Sequence, residues 1–166
     1  VTATNSAGET VEEKVVVKIA NVNETPILAT ALANQNNNED AAFSFTVPIT
    51  TFSDVDGDTL TYSATLSDGS SLPSWLSFDA ATRAFTGTPL NADVGAINVK
   101  ITTSDGSLSA SDTFTLTVVN TNDDPTAVTL SATAIDENLS GGVIGNLTTS
   151  DDDKVHGDSH TYALSG

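Results

Sequence analysis

Two segments of this chain are copies of one another. Asn21-Val-Asn-Glu-Thr-Pro26 and Asn120-Thr-Asn-Asp-Asp-Pro125 share the pattern Asn-x-Asn-acid-x-Pro, and their prolines stand 99 residues apart. The flanks repeat as well. Val1-Thr-Ala-Thr-Asn5 reads like Val99-Lys-Ile-Thr-Thr-Ser-Asp105, and Val15, Val17 and Ile19 have the spacing of Phe114, Leu116 and Val118. On the other side, Ser53-Asp-Val-Asp-Gly-Asp-Thr-Leu-Thr-Tyr62 matches Ser150-Asp-Asp-Asp…Gly157-Asp-Ser-His-Thr-Tyr162, the second copy carrying a three-residue insertion at Lys154 to His156. A period of about one hundred residues is far longer than that of a small solenoid unit, so the repeating object is a whole domain in a tandem array. The chain divides into the end of one repeat (1–24), a complete repeat (25–124) and the start of another (125–166). Only the middle one has enough chain for a full core. With no Met anywhere, the sequence reads as a piece of a longer polypeptide.

Apolar residues recur at every second position: Phe43, Phe45, Val47; Leu60, Tyr62, Ala64, Leu66; Ile97, Val99, Ile101; Phe114, Leu116, Val118. That period is the signature of half-buried strands. Val15, Val17 and Ile19 predict a further strand by the same rule. Asp-Gly turn signals recur at 56–57, 68–69 and 105–106, spacing the strands as in an all-β sandwich of about seven. The expected fold is therefore an immunoglobulin-like β-sandwich, with partial repeats on either side. It has no Cys, so neither a disulfide nor a thiolate metal site is available to it.

The charge balance narrows the partners. Five Lys and Arg face 22 Asp and Glu, a formal charge of −17, which is the wrong sign for neutralising phosphates and argues against nucleic acid and anionic membrane surfaces. No apolar run approaches the roughly 18 residues of a membrane helix, so direct membrane insertion is not expected. A hydrophobic fraction of 38% sets the chain apart from acidic disordered tails. With two His, no Cys and no Gly-rich phosphate loop, nucleophilic triads and nucleotide sites find no support, and an enzyme is not expected.

The carboxylates gather where the repeats end. Asp54, Asp56 and Asp58 precede a strand, Asp105 follows one, and Glu24, Asp123 and Asp124 lie in the linkers beside Asn21, Asn23, Asn120 and Asn122. Crowded carboxylates repel unless a cation sits among them. Calcium, which takes six to eight oxygen ligands, fits this donor set better than magnesium, which keeps its waters, or zinc, which favours His and Cys.

Taken together, Ser53 to Ser63, Leu72-Pro-Ser-Trp-Leu-Ser-Phe-Asp79, Phe85-Thr-Gly-Thr-Pro-Leu-Asn-Ala-Asp-Val-Gly95 and Ser111-Asp-Thr-Phe-Thr-Leu-Thr-Val118 resemble cadherin-like repeats, more closely the dystroglycan-type, Ig-like repeats of large bacterial surface proteins. The linkers resemble the cadherin Asp-x-Asn-Asp-Asn linker, with Asn in place of the first Asp in both copies. The resemblance implies a calcium set at the first junction of Asn21, Asn23, Glu24, Asp54, Asp56 and Asp105. At the second it implies Glu39, Asp93 of Asn91-Ala-Asp93, Asn120, Asn122, Asp123, Asp151 and Asp153. Glu137 stands where Glu39 does and would serve a junction further on. The implied role is an extracellular, cell-surface adhesin repeat whose partners are neighbouring repeats, stiffened by calcium. A glycan- or protein-recognition module, or an accessory domain of a secreted hydrolase, is the alternative.

Other readings of these residues are plainer. Counted from Asp54 as an EF-hand, position six is Thr59 and position twelve Thr65, so that loop fails. The Asp54 run alone would pass as an Asx-rich turn, Asp105-Gly106 as a hairpin turn, and the linkers as solvated spacers. His156 and His160, with Asp158 between them, could hold a metal if the loop curled; a solvated loop is the simpler expectation. Gly157-Asp-Ser-His160 has Ser159 where a self-cleaving Gly-Asp-Pro-His site has Pro. Trp75 reads as an anchor against the core more readily than as a sugar platform. Asn23, Asn138 and Asn146 open Asn-x-Ser/Thr sequons of the kind a Thr-rich chain produces by chance.

Overall fold

The computed structural model describes residues 1–132 and 145–163; Glu137 and Asn138 lie outside them. A hairpin opens the chain, β1 (Thr2–Thr4) pairing antiparallel with β2 (Thr10–Glu12). The middle supplies β3 (Ile27–Leu28), β4 (Gln35–Asn38), β5 (Phe43–Thr46), β6 (Phe52–Ser53), β7 (Thr61–Leu66), β8 (Leu76–Asp79), β9 (Ala84–Gly87), β10 (Gly95–Ser104) and β11 (Ser109–Val119). An exposed antiparallel pair of strands, β12 (Ala127–Leu130) and β13 (Leu147–Ser150), follows. Helical structure among the described residues is limited to 3-10 turns at Asn91–Asp93 and Asp152–His156.

The middle of the chain is a β-sandwich. One sheet has the order β4-β11-β10-β7, the other β5-β9-β8, with β3 and β6 paired at the side. Alternation explains the inner faces. In β10, Val99, Ile101 and Thr103 are buried, and in β11 Phe114, Leu116 and Val118 are, the register setting Val99 opposite Phe114 and Ile97 opposite Leu116. Phe43, Leu76 and Phe85 close the core from the second sheet. Phe114 meets Phe85 and Phe45 edge-on, with ring centroids 5.7 and 5.5 Å apart, an arrangement aromatic quadrupoles favour.

Two expectations change in the structure. Val15, Val17 and Ile19 belong to no strand and are 60 to 93% exposed. Alternation alone does not make a strand: its N–H and C=O groups need a hydrogen-bonded neighbour, and no strand among the described residues lies beside them. Conversely, β4 is a strand of Gln35, Asn36, Asn37 and Asn38 with no apolar residue, paired parallel to β11 from Leu116 to Val119. Trp75 is part-buried against the core. Its carbonyl lies only 2.1 Å from where a Cβ on Gly87 would stand, so only glycine admits this approach.

The topology carries the acidic segments to two ends of the sandwich. The β10–β11 turn, the loop after β6 and the linker before β3 meet at one end, as the contact of Asn23 with Asp105 shows. At the other end Glu39 N–H donates to the Val119 carbonyl (3.0 Å) and Asp40 N–H to the Pro89 carbonyl (2.8 Å), gathering the turn after β4, the segment before Asn91 and the second linker.

Candidate metal centres

At the first end the linker is laced to two loops. Asn21 Nδ2 donates to Asp56 Oδ1 at 2.7 Å, Glu24 N–H to Asp56 Oδ2 at 3.0 Å, and Asn23 Nδ2 to Asp105 Oδ2 at 3.1 Å. The loop is an Asx turn: Asp54 Oδ1 accepts the N–H of Asp56 at 2.9 Å and of Asp58 at 3.4 Å. Asp54 Oδ2 is enclosed and has no hydrogen-bond partner. Asn21, Asn23, Glu24, Asp54, Asp56 and Asp105 thus come together. Asp58, which the sequence reading left out of the ligand set, joins them: carboxylate oxygens of Asp54, Asp56 and Asp58 lie within 4.8 Å of one another. Its signal was the Asp-x-Asp-x-Asp alternation.

The charges are tuned against each other. The Asn21 amide and the Glu24 N–H hold Asp56 below its ordinary carboxyl value, and the Leu108 and Ser107 N–H groups do the same for Asp105. Glu24 moves the other way, raised chiefly by its hydrogen bond to Asp56, then by burial and by the charges of Asp56 and Asp54.

At the second end Glu39 is buried, 2% exposed. Its Oε1 accepts the Thr121 N–H at 2.8 Å, and its Oε2 is enclosed without a partner. Asp153, equally buried, accepts the Asp123 N–H through Oδ2 and the Asn91 amide through Oδ1 at 3.5 Å. Asn120 Oδ1 is enclosed and unpartnered. Burial raises the Asp123 carboxyl, helped by the charges of Asp153, Asp40, Glu39 and Asp152; Asp40 and Asp152 are residues the sequence reading did not name. Three further expected members have contacts of their own, Asn122 as Asn23 has at the first end and Asp151 as Asp54 has, except that Asp151 Oδ2 lies against His160. Asp93 Oδ2 accepts the Leu90 N–H at 3.0 Å, the Asn122 amide donates to the Asp123 carbonyl, and Asp151 Oδ1 caps the 3-10 turn through the Asp153 N–H.

The loop after that turn is not simply solvated. His160 is 13% exposed in its side chain and stands 3.0 Å from Asp151 Oδ2, with Asp158 at 3.7 Å on its other nitrogen. His156 is exposed and reaches the Asn91 carbonyl at 3.3 Å.

A divalent oxygen-seeking cation fits both ends. An acceptor oxygen enclosed without a partner costs about 1–3 kcal/mol, and Glu39 Oε2, Asp54 Oδ2 and Asn120 Oδ1 are three such acceptors. All are oxygens, among other oxygens, which suits calcium. Among the described residues no helix is long and apolar enough to cross a membrane.

No curated protein matches the chain. Among solved structures, the endo-fucoidan hydrolase MfFcnA4 from glycoside hydrolase family 107 is 25% identical over 58% of this chain with a TM-score of 0.49; the chain spans 14% of that enzyme's length. Human protocadherin-24 EC1-2 is 20% identical, covering 78% of this chain and 61% of its own, with a TM-score of 0.45. The model of the family described as "Putative Ig domain" matches residues 25–119, more than half of the sequence, and the chain belongs to that family.

Proposed function

We propose that this chain is a calcium-binding, extracellular repeat of a bacterial cell-surface adhesin, of the dystroglycan-type cadherin-like kind, in which ions at the junctions near residues 21–24 and 120–124 hold neighbouring repeats in line. The observation that carries this reading is Glu39 Oε2, a buried carboxylate oxygen with no partner, set beside the linker it is tied to through Thr121. Asn21, Asn23, Glu24, Asp54, Asp56 and Asp105 would hold an ion at the first junction, with Asp58 added. Glu39, Asn120, Asp123 and Asp153 would do so at the second. A bound calcium would offset the carboxylate repulsion and, at the second junction, join Glu39 of the middle repeat to Asp153 beyond the linker.

The residues of the linkers do the coupling. Asn21 and Asn23 bridge the first linker to Asp56 and Asp105, while the N–H of Asp123 fixes the second linker to Asp153. An ion that binds where these contacts form would favour the arrangement that makes them and stabilise it by mass action. The partners are then adjacent repeats, and the chain works by reach and stiffness without catalysis. Calcium titration of the full chain by calorimetry, with a parallel melting curve, tests the proposal. Saturable heat and a rise in Tm are expected; heat of dilution only, with an unchanged Tm, would overturn it.

A further inference from the structure

The two loops that copy one another are not chemically equivalent. In the alignment of Ser53–Tyr62 with Ser150–Tyr162, Asp54 corresponds to Asp151, Asp58 to Asp158, and the part-buried Leu60 to His160. A nitrogen donor therefore replaces an apolar side chain beside two carboxylates. The three-residue insertion makes room for it. It forms the 3-10 turn Asp152–His156, started by Asp151 as its cap and ended at Gly157 with φ +98, a left-handed value that suits glycine. The turn brings Asp158 back, its N–H donating to the Asp153 carbonyl at 3.4 Å. Tyr162 ties the next segment to β13 through Thr149 Oγ1 at 2.6 Å.

We propose that Asp151, Asp158 and His160 form a binding site for a first-row transition cation, zinc foremost, separate from the calcium reading of the junctions. One oxygen or nitrogen from each residue lies within 4.8 Å of the others. The Asp151 side chain is fully buried, and its Oδ2 makes no hydrogen bond, nor does His160 Nε2, although the two atoms stand 3.0 Å apart. That separation is one that two ligands of a single ion adopt, as does an imidazolium–carboxylate pair, and Asp158 Oδ2 stands 3.7 Å from the opposite ring nitrogen, Nδ1. Ligands about 2.1 Å from a metal stand ~3.0 Å apart at a right angle and ~3.4 Å apart at the tetrahedral angle. Access comes from a cleft of about 170 Å³ lined by Asp158, His160, Lys154 and Tyr162. Lys154 makes no ion pair among the described residues, so the carboxylates are not neutralised by it. One imidazole with two carboxylates is a donor set for zinc or its neighbours, whereas calcium prefers oxygen alone.

The test is zinc binding to the full chain, already saturated with calcium, followed by calorimetry and by NMR of the imidazole nitrogens. A single zinc equivalent should bind and move the His160 ring nitrogens while leaving those of His156 in place. His160→Leu, which restores the residue type of the first copy, should weaken zinc about 100-fold and leave the calcium response unchanged; Asp158→Asn should weaken it about tenfold or more. Because the ring signals are read in the unmodified protein, the assignment does not depend on how either variant folds. Zinc that perturbs His156 alone, that excess calcium displaces completely, or that binds His160→Leu with unchanged affinity would overturn the proposal.

Discussion

Glu39 Oε1 accepts the backbone N–H of Thr121 at 2.8 Å while the other oxygen of the same carboxylate is enclosed without a partner. The first contact fixes the direction in which the chain leaves β11. The second leaves a carboxyl oxygen with neither a hydrogen-bond nor an ion-pair partner among the described residues. A side chain whose halves have such different roles can be dissected by substitution.

Glu39→Gln keeps an oxygen for Thr121 and removes the charge. In chelator its Tm should equal or exceed that of the unmodified chain, because an unpaired buried charge has been lost. In calcium the order should reverse, with the calcium-induced rise in Tm much reduced. Glu39→Ala removes both roles and should cost about 2–3 kcal/mol without calcium, from the orphaned N–H and the cavity together. Urea unfolding with and without calcium separates these outcomes.

The raised carboxyls set the pH dependence. Glu24 is lifted by its hydrogen bond to Asp56 and Asp123 by burial among Asp153, Asp40, Glu39 and Asp152. A folded-state value above the unfolded one contributes stability that is full below the unfolded pKa and lost as pH rises through the folded pKa. In chelator, these two groups should therefore weaken the fold as pH climbs through the range just above their ordinary values of 4.5 and 3.8. Asp56 and Asp105, both lowered, act in the opposite sense and lose their contribution as pH falls below 3.8. Calcium should reverse the first effect by favouring the ionised forms. Carboxyl-carbon NMR should show the Glu24 and Asp123 midpoints moving down on calcium addition; midpoints that stay fixed would contradict the ligand assignment.

The sandwich was legible where both faces of a strand differ. Phe114, Leu116 and Val118 alternate with Thr, and β11 is where that pattern says it should be. β4 was invisible because Gln35–Asn38 carry no apolar contrast; backbone pairing to β11 and amide contacts such as Asn37 Nδ2 to the Ala41 carbonyl hold it instead. Val15, Val17 and Ile19 failed in reverse, having contrast without a neighbour. In the candidate site, duplication exposed the linkers and the Asp54 and Asp151 loops. Nothing local announced that Asp40 would face Asp123 or that an insertion would fold His160 onto Asp151, since both depend on turns whose closure is tertiary.

Gly87 should tolerate no side chain. A Cβ there would stand 2.1 Å from the Trp75 carbonyl and 3.0 Å from its ring, and the first neighbour is backbone, which cannot swing aside. Gly87→Ala is expected to destabilise the sandwich by about 1–3 kcal/mol, with a change in Trp75 fluorescence in the folded state. The calcium response should survive, because neither linker nor acidic loop touches this contact. An unchanged urea midpoint would mean that β9 can shift along β8.

The two ends should bind independently. Asp54→Asn keeps the Oδ1 that accepts the Asp56 and Asp58 N–H groups but removes the charge from the enclosed Oδ2. Asp153→Asn similarly removes charge from the side chain that receives the Asp123 N–H. Each should abolish the calcium heat of its own end and leave the other, and the two losses should add within about 0.5 kcal/mol, as expected for sites that share no ligand. The check is calorimetry on both single variants and the double. If either single substitution removed both binding events, the ends would be coupled through the sandwich; if the double variant still bound calcium with the original stoichiometry, the ions would lie elsewhere.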